Sequence, residues 1–344
     1  MTENSMPRVA IIADTSLQRG ALQQALVNNG YQVVLNNSPS RLDEAALASS
    51  EVDLWLVDLA LSEDSPLVDR LLQQSDAPVL YGEGQAPERQ SEQYPLWEKR
   101  FFGKLKQLIG DSTSSVVAGL DALYNDAERV AALPLPAELK GIAEASGTPA
   151  EQVWLLAGSL GAPQAVKAFI DALPVGLPVG FVYAQHINDG QEDNLAQAVG
   201  CHTGWTVRVA QDGEPVHCGE VVIAPVTQEL SLGDGGAMRL AAHGWQEPYS
   251  PSIDQMVLNL VQRFTARSGV VLFSGTGSDG SSALGYARRH QAEVWAQRSE
   301  SCECPSLPDS ARATGHVTFS AEPRELAQAL ITRLVEQRNL AEGA

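Results

Sequence analysis

Three polar residues follow apolar runs in the C-terminal half of this 344-residue chain. Ser159 follows VWLLAG, His186 follows VGFVYAQ, and Asp279 follows VVLFSGTGS. A serine that attacks an acyl carbon needs a base to take its proton and an acid to orient that base. Functional groups of an open α/β sheet lie just past the carboxyl ends of its strands. The three residues therefore form a candidate catalytic triad.

Each of the three residues also has a purely structural interpretation. A serine after a strand is often a helix N-cap, and a histidine there is often a satisfied core or surface residue. Asp279 would cap a helix that begins near Ser281. The occurrence of all three residue types at predicted strand ends, rather than any one of them, favours catalysis.

Two known motifs lie at the site but fit it poorly. The segment AGSLG around Ser159 lacks the first glycine of GxSxG, and the order Ser, His, Asp differs from the order in α/β-hydrolases. Residues 275–280 (GTGSDG) match the dinucleotide pattern GxGxxG, but late in the domain and without the expected later acid. An acid in that turn would also repel a pyrophosphate. Arg298 would suit a 2′-phosphate, so an NADP-dependent enzyme is an alternative to a serine hydrolase.

The elements that position these residues alternate between strand-like and helix-like segments. In the N-terminal part, apolar runs predict strands at residues 8–14, 31–35, 53–59 and 78–81. The spacing of Leu17, Leu22, Leu26 and Val27 predicts one apolar face of a helix. Strands that alternate with helices predict a doubly wound α/β sheet.

The same alternation resumes after a different stretch. Residues 111–151 are rich in Ala, Ser, Asp and Glu and predict a helix near 117–133, followed by a linker. Further strands are predicted at residues 153–156, 179–184, 220–224, 238–242, 270–273 and 293–297, with helices at 165–173 and 281–289. We therefore expect one domain at 1–110, a linker at 111–151, and a second, mostly parallel α/β domain at 152–344.

The composition limits the classes of partner. A formal net charge of -19 argues against nucleic acids and anionic membranes, because phosphate binding needs clustered Lys and Arg. No apolar stretch is long enough to span a membrane, and the polar residues 1–7 predict no signal peptide. The four cysteines include no CxxC pair and predict reduced thiols in a cytoplasmic protein.

Several motifs occur in one order along roughly residues 152–337: AGSLGAP, AQHI, GEPVHCGEVVIAP, PSIDQMV, VVLFSGTGSDGSSAL and AQRSESCECPSLPDSARATG. This order resembles that of the chemotaxis protein-glutamate methylesterases (CheB-like). The resemblance implies that Ser159 attacks the methyl ester of a receptor glutamate, that His186 accepts its proton, and that Asp279 orients the imidazole. It also implies oxyanion or turn roles for Gly158, Leu160, Thr276 and Gly277. Leu160 departs from the family, in which a small hydroxyl residue is common at that position.

The N-terminal segment resembles the flavodoxin-like receiver domain that precedes the esterase in that family. By this resemblance Asp58 is the phospho-accepting aspartate, and Lys99 in LWEKRFF matches the fifth-strand lysine. Receivers usually hold Mg²⁺ with two acids after the first strand, but the matching positions here are Ala13 and Asp14. The segment PVLYGEG shows no Ser or Thr after the fourth strand. Mg²⁺ favours several oxygen ligands, so we expect only a weak site at Asp14 and Asp58.

The expected function is that of a cytoplasmic hydrolase that needs no cofactor for catalysis. The resemblance implies demethylation of glutamates, and deamidation of glutamines, in the cytoplasmic domain of a methyl-accepting chemoreceptor. It also implies a chemotaxis histidine kinase as the phosphodonor for Asp58. The alternative is a regulatory or docking protein with little esterase activity and a receiver that does not respond to phosphate. The complete triad argues against this alternative, and the altered receiver site argues for it.

Overall fold

A computed structural model of the chain describes residues 6–39, 51–59, 71, 75, 77–81, 86–87, 91, 93–109, 120, 123, 131–142, 147–246 and 248–342. The chain divides into two compact units, Met1–Ser115 and Val116–Ala344. Each unit has its own hydrophobic clusters on the two faces of its sheet.

The N-terminal unit contains a four-stranded parallel sheet. Its strands are β1 (Arg8–Ala13), β2 (Gln32–Asn37), β3 (Leu54–Asp58) and β4 (Val79–Tyr81), in the order β2-β1-β3-β4. All three neighbouring pairs are parallel. Helix α1 (Ser16–Asn28) connects β1 and β2, and helix α2 (Tyr94–Ile109) follows β4. The predicted parallel α/β fold is therefore confirmed for this unit.

Helix α1 buries a narrower face than the sequence predicts. Thr15 caps it by accepting a hydrogen bond from the backbone of Gln18, and Leu22 and Leu26 are buried. Leu17 and Val27, however, are 85% and 51% exposed. Successive residues in a helix are about 100° apart, so Leu17 and Val27 both lie about 140° around the helix axis from Leu22, whereas Leu26 lies about 40° from it. The prediction that all four share one face is wrong.

Helix α2 occupies the segment in which a fifth strand and its lysine are expected. Trp97, Phe101, Phe102 and Leu105 are buried at helical spacing, and the rings of Trp97 and Phe101 stack with centroids 5.0 Å apart. Lys99 lies within this helix, so its assignment to a fifth strand is wrong. The segment LWEKRFF is too short to distinguish a strand from a helix, and packing of its aromatic residues in the core of this unit selects the helix.

The C-terminal unit contains a seven-stranded sheet in the order β13-β12-β11-β5-β6-β8-β7, in which every pair is parallel. Its strands are β5 (Val153–Gly158), β6 (Gly180–Gln185), β7 (Thr206–Val209), β8 (Glu220–Ile223), β11 (Ser268–Leu272), β12 (Glu293–Gln297) and β13 (Phe319–Ala321). Strands β9 (Leu230–Leu232) and β10 (Met238–Leu240) form a separate antiparallel pair. The predicted strand at 238–242 thus lies outside the main sheet, and β7, β9 and β13 were not predicted.

Helices cover both faces of this sheet. They are α3 (Ala162–Ala172), α4 (Glu192–Gly200), α5 (Ile253–Phe264), α6 (Leu284–Arg289), α7 (Ser306–Ala313) and α8 (Pro323–Glu342). One core cluster includes Phe169 and Phe181, and the cluster on the other face includes Val182 and Leu260. Among the described helices, none has the length and apolar character that crossing a membrane requires.

Part of the predicted linker packs against the C-terminal unit. Leu120, Leu123 and Leu139 are buried in one of its core clusters. Residues 131–136 are not helical, so the predicted helix near 117–133 does not extend to Leu133. Most of the other residues of that predicted helix lie outside the described residues. The backbone N–H of Leu133 donates instead to the carbonyl of Ala172 at the end of α3.

Candidate active site

The three predicted triad residues all follow central strands of the C-terminal sheet. Ser159 comes directly after β5, His186 directly after β6, and Asp279 in the turn after β11. β5 lies between β6 and β11, so the three strand ends are neighbours at one edge of the sheet. The backbone N–H of His186 donates to the carbonyl of Gly158 at 3.1 Å, which links two of these ends directly.

His186 and Asp279 form a buried pair. The imidazole Nε2 lies 3.1 Å from Oδ2 of Asp279. His186 is 5% exposed and Asp279 is completely buried. A carboxylate bound to Nε2 leaves Nδ1 as the ring nitrogen that can take a proton from a serine.

The carboxylate of Asp279 is held by the amino terminus of α5. Its Oδ2 accepts a hydrogen bond from the backbone N–H of Ile253 at 2.6 Å, and its Oδ1 accepts from Asp254 at 3.2 Å and Gly280 at 3.0 Å. The positive end of the helix dipole and these N–H groups stabilise a negative charge at this point. Ser252 begins the helix by accepting a hydrogen bond from Gln255.

This arrangement excludes the helix-cap interpretation of Asp279. Helix α6 begins at Leu284, later than the sequence suggests, and the backbone N–H of Ala283 before it is bound by Asp254 Oδ1 at 2.9 Å. The carboxylate of Asp279 faces α5 and the imidazole. The motif PSIDQMV therefore has a structural role that sequence reasoning missed, because it supplies the backbone donors for Asp279.

Ser159 is buried in a tight turn beside the glycine-rich segment that follows β11. Its Oγ lies 3.3 Å from Oγ1 of Thr276, and its backbone N–H donates to the carbonyl of Ser274 at 3.0 Å. Among the described residues, no hydrogen bond joins this hydroxyl to His186. Catalytic hydrogen bonds are often longer without substrate and tighten in the bound complex, so this geometry remains compatible with a triad.

Glycines around Ser159 are required by close packing. A Cβ on Gly275 would lie 2.9 Å from both Cβ and N of Ser159. A Cβ on Gly158 would lie 2.2 Å from Cβ of Ala162, at the start of α3. Gly161, which precedes that helix, has a φ of 75°, a conformation that favours glycine. Gly158 is the last residue of β5 rather than a turn residue, and its close approach to Ala162 gives a steric reason for a glycine at this position.

Two buried glutamines hold the backbone of the site. Nε2 of Gln185 donates to the carbonyl of Ser159 at 2.7 Å, and its Oε1 accepts from the hydroxyl of Tyr183 at 2.6 Å. Burial raises the pKa of Tyr183 well above its ordinary value, so this hydroxyl keeps its proton. Oε1 of Gln297 accepts from the backbone N–H of Ser274 at 2.9 Å. Sequence reasoning missed both roles, although each glutamine is the polar end of an apolar strand.

The turn at residues 275–279 offers donors near the nucleophile. The carbonyl of Gly277 accepts hydrogen bonds from the hydroxyls of Ser306 and Ser310, and the carbonyl of Leu160 accepts from Ser274. Within the described part of the chain, no protein acceptor binds the backbone N–H of Thr276 or Gly277. These two N–H groups are therefore available to an incoming oxygen atom.

The N-terminal unit brings Asp14 and Asp58 to the same end of its sheet, because Ala13 pairs with Asp58 in the parallel register. The side chain of Gln18 binds the carboxylate of Asp58. Nε2 of Gln18 donates a hydrogen bond to Oδ2 of Asp58 at 2.6 Å, and Oε1 of Gln18 accepts one from the backbone N–H of Ala86 at 3.3 Å. Burial raises the pKa of Asp58, with a further increase from the charge of Asp14, while the hydrogen bond from Gln18 acts in the opposite direction.

These residues offer few ligands for a Mg²⁺ ion. Octahedral coordination needs several oxygen ligands, whereas Ala13 supplies no side-chain oxygen and one oxygen of Asp58 already accepts a hydrogen bond from Gln18. Among the described residues, no group of three His, Cys, Asp or Glu side chains could hold a metal. Gly82 and Glu83, in the segment after the fourth strand, lie outside the described residues. The predicted weak site thus has fewer ligands available than the sequence suggests.

Comparison with known proteins identifies the C-terminal unit. Residues 154–330, which are 177 of the 344 residues, match the family described as CheB methylesterase. Similar proteins include "Protein-glutamate methylesterase/protein-glutamine glutaminase 2" of Burkholderia lata, 29% identical over 52% of this chain and 53% of the relative. Another is "Protein-glutamate methylesterase/protein-glutamine glutaminase 1" of Pseudomonas fluorescens, 28% identical over 49% of this chain and 51% of the relative.

A solved structure supports the fold. The CheB methylesterase catalytic domain of Thermotoga maritima aligns with a TM-score of 0.50 and 24% identity, and covers 55% of this chain and 99% of that domain. The chain spans about half the length of the curated relatives it matches. The predicted family resemblance and the predicted α/β class are confirmed.

Proposed function

Because this chain belongs to the CheB methylesterase family, we propose that its C-terminal unit is a serine hydrolase that cleaves glutamyl methyl esters of a chemoreceptor. Two relatives named protein-glutamate methylesterase/protein-glutamine glutaminase support this substrate class. The observation that carries the proposal is the buried His186–Asp279 pair, held by α5 beside the strand end that bears Ser159. The substrate would be the cytoplasmic domain of the receptor, so the enzyme would act in the cytoplasm.

The mechanism follows from the arrangement of the three side chains. Oγ of Ser159 attacks the ester carbonyl carbon while Nδ1 of His186 takes its proton. Asp279 stabilises the resulting imidazolium through Nε2 and keeps the ring in the tautomer whose Nδ1 can accept a proton. The imidazolium then protonates the departing methanol, which leaves a glutamyl ester on Ser159. Water, deprotonated by the same imidazole, hydrolyses this ester and releases the carboxylate.

The negative charge of the tetrahedral intermediate needs donors that are already in place. The backbone N–H groups of Thr276 and Gly277 would bind the oxyanion, since no described protein acceptor binds either of them. The same steps hydrolyse a glutamine side chain, with ammonia as the leaving group in place of methanol. This would account for the second activity in the names of the relatives. None of these steps uses a cofactor.

Methanol release from methylated receptor membranes tests the proposal. We expect release by the full chain and none above background by Ser159→Ala. Ser231→Ala is a matched control, because that hydroxyl contacts only the carbonyl of Arg239 in β10 among the described residues. Equal, slow release by the full chain and Ser159→Ala would refute the esterase and favour a docking protein.

For the N-terminal unit, we infer that Asp58 is not used as a phosphoryl acceptor. The hydrogen bond from Gln18 and the absence of a second carboxylate at Ala13 support this, and a histidine kinase would then not act on this residue. Incubation with radiolabelled acetyl phosphate and Mg²⁺ should label the full chain no more than Asp58→Asn. Labelling of the full chain that Asp58→Asn abolishes would contradict the inference and support the kinase as a partner.

A further inference from the structure

The imidazole of His186 is covered on one face by a tyrosine. The rings of Tyr249 and His186 are parallel, with an interplanar angle of 1° and centroids 4.9 Å apart. Tyr249 is intermediate in exposure, whereas His186 is buried. Tyr249 lies outside every motif quoted for the family resemblance. The stacking therefore gives a role to a residue that the proposed mechanism does not use.

Tyr249 belongs to the same short segment that holds Asp279. The segment continues through a cis Ser250–Pro251 peptide bond to Ser252, which caps α5. The next two backbone N–H groups, of Ile253 and Asp254, donate to the Asp279 carboxylate. Within six consecutive residues, Tyr249 thus contacts His186 through a ring face, and Ile253 and Asp254 bind Asp279 through the backbone.

The hydrogen bond between His186 and Asp279 restrains the imidazole at a single atom. With only this bond, the ring can still rotate about the Cβ–Cγ bond, which leaves Nε2 nearly in place but changes the direction of Nδ1. A parallel aromatic face restricts the plane of the ring, because rotation of the imidazole would push one of its edges into the tyrosine ring and move the other edge away from it. Proton transfer and nucleophilic attack depend steeply on such alignment.

We propose that Tyr249 is a positioning residue that holds the plane of the His186 imidazole so that Nδ1 is directed to Ser159. This inference rests on the proposed function. The ring face makes the contact, so phenylalanine should replace tyrosine and leucine should not.

Inactivation by a fluorophosphonate probe measures this effect. Oγ of Ser159 forms a bond to phosphorus, fluoride leaves, and the hydroxyl proton passes to His186. The saturating rate of inactivation reports activation of the serine, and the half-saturating probe concentration reports probe binding. For Tyr249→Leu we expect the saturating rate to fall about threefold to tenfold, as lost aromatic pairing implies, with the half-saturating concentration unchanged. Tyr249→Phe should keep the rate of the unaltered chain.

A second tyrosine–histidine pair provides a matched control. The rings of Tyr286 in α6 and His290, which directly follows this helix, have centroids 4.1 Å apart, and neither residue contacts His186 or Asp279 in the described part of the chain. Tyr286→Leu removes a comparable ring contact and should leave the saturating rate unchanged. An equal loss in Tyr286→Leu and Tyr249→Leu would indicate a general effect on the fold and overturn the proposal.

Magnetic resonance of the His186 ring protons gives a readout that does not depend on activity. Stacking shifts these protons upfield, and Tyr249→Leu should remove this shift while Tyr249→Phe retains it. His186→Gln assigns the signals. Unchanged ring-proton shifts in Tyr249→Leu would overturn the proposal, as would a higher half-saturating concentration with an unchanged saturating rate.

The outcomes separate this inference from the proposed function. If the full chain reacts with the probe no faster than Ser159→Ala, the serine hydrolase itself is refuted, whatever the ring shifts show. If the full chain reacts faster than Ser159→Ala and Tyr249→Leu reacts as fast as the full chain, the hydrolase stands and the positioning role of Tyr249 is refuted.

Discussion

Replacing Asp279 with asparagine turns one oxygen of a completely buried carboxylate into an NH₂ group. Oδ2 accepts from His186 and Ile253, and Oδ1 accepts from Asp254 and Gly280. An NH₂ group at the Oδ1 position would face two backbone donors, neither of which can become an acceptor. At the Oδ2 position it faces one such donor and an imidazole that can change its tautomer. We therefore expect the NH₂ group at the Oδ2 position.

This orientation predicts two separate losses. An NH₂ group that donates to Nε2 of His186 moves the ring proton to Nδ1, which can then no longer accept the proton of Ser159. Wrong-tautomer substitutions of this kind reduce turnover by about 10⁴-fold, or about 5.4 kcal/mol. The backbone N–H of Ile253 also loses its acceptor, and an unsatisfied buried donor costs about 1–3 kcal/mol. For a unit of this size that corresponds to a decrease in Tm of about 3–9 °C.

Methanol release and thermal unfolding of the same preparations test both losses. Ser159→Ala is the control, because it should abolish activity while its Tm stays within about 1 °C, since among the described residues Oγ of Ser159 has a hydrogen-bond partner only in the hydroxyl of Thr276. Activity of Asp279→Asn within tenfold of the full chain would refute the orienting role. Lost activity with an unchanged Tm would show that the hydrogen bond from α5 to Oδ2 contributes nothing to stability.

Two further predictions concern stability at low pH and the packing of the nucleophile. Burial alone would raise the pKa of Glu220, but hydrogen bonds from Arg208 and His217 lower it below its ordinary value of 4.5. Its charge therefore stabilises the fold above about pH 4.5, and this contribution is lost as the pH falls through the lowered value. Glu220→Gln should be less stable by about 1 kcal/mol near pH 6 in urea unfolding, with the difference shrinking as the pH falls below 4.5, and a constant difference would contradict this. Gly275→Ala should slow methanol release on the order of 100-fold, because the new Cβ displaces the nucleophile. Gly244→Ala is the control, because a Cβ there has its nearest contact at 3.4 Å, and it should not slow methanol release. Equal rates of methanol release by the two variants would show that the turn relaxes freely.

Errors in the N-terminal unit show the limit of local patterns. The resemblance matches Lys99 to a fifth-strand lysine, although the buried positions Trp97, Phe101 and Leu105 recur every four residues. That spacing becomes decisive only over the whole helix, Tyr94–Ile109. The amide of Gln18 on Asp58 was also missed, because it depends on how α1 lies over the end of β3. Both features required contacts between distant segments.

The sequence was sufficient to predict that the three candidate triad residues lie at strand ends, and the reason is physical. Parallel strands in a covered sheet are apolar along their whole length, so the first polar residues mark their carboxyl ends, and those ends share one edge. Ser159, His186 and Asp279 lie at three neighbouring ends of this kind. Their catalytic role stays a prediction, which the experiments above address.

The apolar runs and the ordered motifs were thus sufficient to predict the family and the three strands that Ser159, His186 and Asp279 follow. The tertiary structure alone decided which groups act on those residues: the amino terminus of α5 on Asp279, the ring of Tyr249 on His186, and the amides of Gln185 and Gln297 on the backbone around Ser159. Which residues of a segment are buried can be predicted from the spacing of the apolar residues in that segment. A hydrogen bond or a ring contact depends on distances between segments that lie far apart in the chain, and folding alone sets those distances.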